Sequence, residues 1–160
     1  MAKRTDRERG MEFQRWVKRW LEQRGWDVVN VPPRGIMIQD KRTKARKFVS
    51  LRNDIFGCDL VARKVWTLEK DGHDHFKEIW IQATMGYRPG KKLEQVSAHP
   101  VPRIYPGTNV QIETQIWMKV ESTQINIKRV TVEEGTTALE DLGKIMRGTF
   151  YATEGITYDF

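Results

Sequence analysis

Two runs in the middle of the chain constrain the fold more than any other feature. Residues 59–68 (DLVARKVWTL) and 76–84 (FKEIWIQAT) are rich in β-branched and aromatic residues, and the polar stretch between them centres on Asp71-Gly72. Asp-Gly tolerates the positive backbone angles that a tight hairpin turn demands, so the two runs are expected to pair as neighbouring central strands. The rest of the chain has to build on that sheet.

On either side the hydrophobic period changes. From Arg7 to Arg24, Phe13, Trp16, Val17, Trp20 and Leu21 recur at three- and four-residue spacing with charge between them, which predicts an amphipathic helix stopped by Gly25. WDVVNV then reads as a strand ended by Pro32, Pro33 and Gly35, and residues 35–53 as a long basic connection with a short strand around Phe48 to Leu51. RPGKKLEQVSAH predicts a short helix, Asn109–Val120 and Thr123–Val132 two more strands, and TALEDLGKIMRG a last helix. Thr137 and Glu140 have capping-box spacing in that helix, and Gly148 ends it. The expected order is αβββαββα, an α/β domain with helices on a mixed central sheet, and 160 residues fit one such domain.

Charge is uneven. The net charge is +7, but residues 34–52 hold seven bases (Arg34, Lys41, Arg42, Lys44, Arg46, Lys47 and Arg52) against the single acid Asp40. Residues 133–160 reverse this, with six acids and two bases. A basic front half points to a polyanionic partner, the alternative being a solvated basic loop. Cys58 is the only cysteine, which excludes an internal disulfide and a cysteine-based zinc site. The charged N-terminus and the lack of any ~18-residue apolar run predict a protein that works inside the cell, in the cytoplasm, away from the membrane.

Chemistry concentrates on the paired strands. Asp59 opens one and Gln82-Ala83-Thr84 closes the other. Side chains alternate along a strand, so Gln82 and Thr84 share a face while Ala83 offers its carbonyl. A carboxylate beside such groups is an oxygen cluster suited to a hard divalent cation. Read alone, Asp59 is better explained as ending a turn, and its pairing with Gln82 and Thr84 across the hairpin shifts the reading toward a site.

The segments GMEFQ, GCDLVA, the hairpin and WIQAT resemble the PD-(D/E)XK nuclease superfamily, in particular the archaeal-type and phage Holliday junction resolvases, over roughly residues 8–98. The resemblance implies a restriction-endonuclease-like core and a homodimer that hydrolyses phosphodiester bonds in branched DNA, the four-way junction, with Mg²⁺ as cofactor and Mn²⁺ as a substitute. It assigns Asp59 as the strand aspartate. Gln82 stands where the family usually has Glu, Thr84 where it usually has Lys, and the helix acid falls at Gln14, with Glu12 nearby. It implies metal ligation by Asp59, Gln82, the Ala83 carbonyl and Glu12 or Gln14, with Asp54 as a second carboxylate. Thr84, Lys91 and Lys92 join Asp59 and Gln82 as catalytic candidates, and the seven bases of 34–52 would contact DNA. A DNA-binding protein without catalysis and a nuclease for linear DNA are the other two readings.

Other groups have simpler explanations. His73-Asp74-His75 lies at a hairpin tip without the further ligands zinc takes. Phe13, Trp16 and Trp20 are at core spacing, Cys58 near His99 reads as a small buried residue, and Glu94 is an acid near the site. Tyr87 and Tyr105 lie in loops beside basic residues and could stack on bases.

Overall fold

A computed structural model describes residues 3–31, 35–50, 57–67, 70, 72–86, 89–97 and 109–160. Among the described residues, two helices and nine strands form in the order α1 (Asp6–Glu22), β1 (Asp27–Asn30), β2 (Gly35–Gln39), β3 (Arg46–Ser50), β4 (Leu60–Thr67), β5 (Asp74–Met85), α2 (Pro89–Ser97), β6 (Val110–Glu121), β7 (Gln124–Glu133), β8 (Thr136–Met146) and β9 (Thr149–Ala152). Seven strands make one mixed sheet, β1-β4-β5-β6-β7-β8-β9, and β2 and β3 make a separate hairpin. All neighbours in the large sheet are antiparallel except β5 and β6, which run parallel across the α2 crossover.

This overturns the expected fold class. The chain is mostly β, with two helices among the described residues, and is not the restriction-endonuclease-like α/β core of order αβββαββα. Residues 136–146, expected as a capped helix, are β8, paired along the length of β7. The misreading has a local cause. Lys128 pairs with Asp141 and Ile127 with Gly143, so Leu142 is an extra residue in a bulge. The bulge lets Leu142 and Ile145 both face the core, and their three-residue spacing imitates a helix stripe. Glu140, the supposed capping-box acid, instead pairs with Arg129 at 2.7 Å. Gly148 does not end a helix. Arg147 (φ 49°) and Gly148 (φ 82°) turn β8 into β9, and Glu134 (φ 49°) and Gly135 (φ 78°) turn β7 into β8. Positive φ at both central residues matches the right-handed twist of a hairpin.

The basic segment expected as a connection with one short strand is the β2–β3 hairpin, with its tip at 40–45.

The N-terminal helix forms where its periodicity places it. Thr5 caps it: its side chain accepts the Glu8 N–H at 3.2 Å while Glu8 accepts the Thr5 N–H at 2.7 Å. The Thr5 backbone N–H and then its hydroxyl hold the exposed Glu8 carboxyl below its ordinary pKa. Phe13, Val17, Trp20 and Leu21 are buried against Leu60, Ala62, Ile79, Ile81 and Ala83 of the central strands. Each aliphatic or Phe side chain so buried contributes roughly 1.5–3 kcal/mol, which more than offsets its lost rotamer freedom. Trp20 Nε1 and Arg24 Nη2 both donate to the Gly148 carbonyl, at 2.8 and 3.1 Å, tying the end of α1 to the last hairpin. The other face of the sheet carries α2: Val96 packs with Cys58, Ile116 and Met118, flanked by Leu93 and Trp80. Among the described residues, no helix is long and apolar enough to cross a membrane.

Candidate functional site

Gly57 (φ 66°) bends the chain into β4, using a backbone region that glycine enters without a steric penalty. The next two residues are fixed by the sheet. Cys58 is fully buried, and Asp59 joins the ladder on both sides, donating its N–H to the Ile81 carbonyl and accepting the Val31 N–H, each at 2.8 Å. The β4–β5 pairing begins at Leu60 and Ile81, and because the Asp59 N–H also goes to the Ile81 carbonyl, Asp59 is an irregular residue at the strand's entry. Asp59 Oδ2 accepts the Ala83 N–H at 3.0 Å, a charge-assisted bond that fixes the carboxylate against β5.

Gln82 is buried (4% exposed), and its Nε2 donates to the Ala83 carbonyl over a long 3.4 Å. Strand alternation puts Thr84 on the same face, where its hydroxyl donates to the Met85 carbonyl at 3.5 Å. This face also carries α2, whose opening residues include exposed Lys91, half-buried Lys92 and exposed Glu94. Gln82 and Thr84 thus share the face that carries α2, and Asp59 meets their strand at the Ala83 N–H.

Glu12 and Gln14 are on α1, which packs on the opposite face. Glu12 accepts a hydrogen bond from Arg4 Nη1 at 2.9 Å, so this helix acid serves an ion pair. Asp54, Arg34 and Arg52 lie outside the described residues, as do Tyr87, His99 and Tyr105. In the His-Asp-His stretch, Asp74 accepts the Thr67 hydroxyl at 2.6 Å and His75 stacks on Trp66.

In kind, the donors fit a hard cation: a carboxylate, a carboxamide and a peptide carbonyl all offer oxygen. Magnesium is held through one or two carboxylates with water and substrate phosphate, and Asp59 meets the lower figure. Among the described residues, no group of three or more His, Cys, Asp or Glu is placed to hold a metal ion.

A second surface is electrostatic. Lys41, Arg42, Lys44, Arg46 and Lys47 are all exposed on β3 and the tip of the β2–β3 hairpin. Sequence reasoning treated Asp40 only as the lone acid of this run, yet it builds the tip. Its N–H donates to the Ala45 carbonyl at 2.9 Å, its carbonyl accepts the Lys44 N–H at 2.8 Å, and its carboxylate accepts the Arg42 N–H at 2.8 Å. An Asp folding back on the N–H two residues ahead is a recurrent turn former, and that spacing was the signal available in the sequence. With the acid so engaged, the tip presents mainly its cations. A two-stranded ribbon of this kind is narrow enough to enter the major groove of duplex DNA.

No family model matches the chain, and no curated protein or solved structure matches it either.

Proposed function

We propose that the chain is a metal-dependent, structure-selective DNA endonuclease that hydrolyses phosphodiester bonds in branched DNA, acting as a homodimer on a four-way junction. One observation carries the reading: the Asp59 carboxylate accepts the Ala83 N–H at 3.0 Å, between Gln82 and Thr84 on β5. Asp59, Gln82 and the Ala83 carbonyl would hold Mg²⁺, with Mn²⁺ as a substitute. A bound cation supplies charge neutralisation at the phosphodiester and activates water. The basic hairpin holds the duplex arms through their phosphates. Thr84, with Lys91 and Lys92, lines the approach. A homodimer matches the two equivalent strands cut in a junction.

A second reading, DNA binding without cleavage, is favoured by the neutral Gln82 and by the single carboxylate at the described site. One experiment separates the two. Labelled four-way junction and matched duplex are incubated with the protein and Mg²⁺ or with chelator, and the series is repeated with Asp59→Ala. Symmetric junction nicking that needs metal and disappears in the variant supports the first reading. Metal-independent binding without cutting supports the second, and cleavage of duplex alone moves the substrate to linear DNA.

A further inference from the structure

One side of α1 and the C-terminal ends of β5 and β6 line a cavity of about 510 Å³ on the sheet face that carries α1. Among the described residues that line it, Arg4, Arg9, Arg15, Arg19 and Lys119 are cationic and Glu12 is acidic. Arg4 pairs with Glu12 at 2.9 Å and Arg9 with Asp6, so the net positive charge of the lining comes from Arg15, Arg19 and Lys119. Phe13, Trp16 and Met85 supply an apolar wall. A neighbouring cavity of about 330 Å³ shares Phe13, Trp16 and Lys119 and continues past the β6–β7 turn to Arg147, so the two form one groove.

Helix stability does not account for this arrangement. Arg15 and Arg19 are four apart on one helix face, a like-charge spacing that costs a helix a few tenths of a kcal/mol. Trp16 is only half-buried, and its ring stacks on Trp20 at 6.4 Å with an interplanar angle of 22°. Trp20 is itself locked in the core, at 5.8 Å from Trp117. Trp16 is thus an aromatic plane, backed by the core and flanked by cations. That pairing suits a ligand with phosphates along one side and flat bases along the other.

We propose that this groove binds a single strand of DNA, with phosphates on Arg15, Arg19 and Lys119 and a base against Trp16. The choice of DNA rests on the reading above. A single strand is favoured over duplex because a paired base cannot reach an aromatic plane. Bases that open transiently at the branch point would supply the ligand.

The test measures fluorescence anisotropy of labelled oligo(dT), of a matched duplex and of labelled thymidine monophosphate across a salt series. Arg15→Gln with Arg19→Gln should lower the salt slope for oligo(dT) by about 1.4, from two lost contacts at ~0.7 each, and leave the duplex slope unchanged. Trp16→Ala should weaken oligo(dT) binding about fivefold or more. If that variant melts early, the two surface arginines decide the matter alone. An unchanged oligo(dT) slope overturns the proposal, as does an equal loss for duplex, or monophosphate binding as tight as the oligonucleotide. Loss of binding to phosphatidylserine vesicles in the arginine variant, with oligo(dT) unaffected, assigns the groove to a membrane and also overturns it. Junction cleavage without oligo(dT) binding removes the groove and keeps the nuclease; oligo(dT) binding through these arginines without cleavage does the reverse.

Discussion

Replacing Lys41 and Arg42 by Gln and Lys44 by Asn removes three of the five cations exposed on the β2–β3 hairpin. The hydrogen bonds that shape the tip involve the backbone of Arg42, Lys44 and Ala45 and the Asp40 side chain and backbone, none of them a replaced side chain. Lys44 has φ 56°, a left-handed conformation that Asn accepts better than most residues, so the third change does not strain the turn. The variant should therefore keep the hairpin and lose charge alone. If all five cations contact phosphates of duplex DNA, log affinity should fall with log salt at a slope of about −4.5, and with two remaining contacts at about −1.8. Between about 50 and 200 mM salt the unaltered protein then loses roughly 500-fold in affinity and the variant only ~12-fold. Anisotropy titrations of a labelled duplex at four or five salt concentrations measure both slopes. A variant whose slope stays within about 1 of the parent, while still binding DNA, refutes the role given to the hairpin.

Two further predictions concern the buried polar network under the C-terminal tail. Glu113 pairs with Lys77 at 2.9 Å and Arg129 at 3.4 Å and accepts the Tyr158 hydroxyl at 2.7 Å, and the Glu113 and Lys77 side chains are each 12% exposed. Glu113→Ala strands a largely buried lysine charge, at a cost of about 3–5 kcal/mol. For a chain of this size that lowers the melting temperature by roughly 6–20 °C, and a drop below ~3 °C would show that Lys77 escapes to water. Burial, and then the charge of Glu113, push the Tyr158 hydroxyl pKa upward. Its folded value exceeds the unfolded ~10, so its contribution is complete below pH ~10 and declines as pH rises further. Urea midpoints measured from neutral to strongly alkaline pH should show this decline, and Tyr158→Phe should flatten it.

The fold was legible where one physical signal acted alone. The apolar stripe of α1 buries four of its five assigned residues, and the β4–β5 pair forms between the two expected strands, Asp71 itself lying outside the described residues. It was illegible where a sheet feature imitated a helix, at Leu142 and Ile145, because a bulge cannot be seen without knowing the partner strand. The hairpin at 35–50 was obscured differently. Its turn is built by backbone bonds from Asp40, while its charge pattern resembles an ordinary loop. At the candidate site, period-two alternation was enough to bring Gln82 and Thr84 onto one face. The placement of Glu12 needed the tertiary fold, since only packing decides which sheet face a helix covers.

Alternation also links the two proposed surfaces. On β5, Thr84 lies on the face of Gln82, and its neighbour Met85 lines the groove beneath α1. On β6 the same relation joins Met118, packed on the α2 side, to Lys119 in the groove. The two faces therefore converge at the C-terminal ends of β5 and β6, where the Gly86 N–H donates to the Lys119 carbonyl at 2.9 Å. A branch point offers paired arms and strands that can open side by side. A protein with a basic hairpin for paired DNA and an aromatic-walled groove for unpaired DNA would favour it over either linear form. The selectivity would come from combining two modest contacts, since a linear duplex or a lone strand can satisfy only one of them.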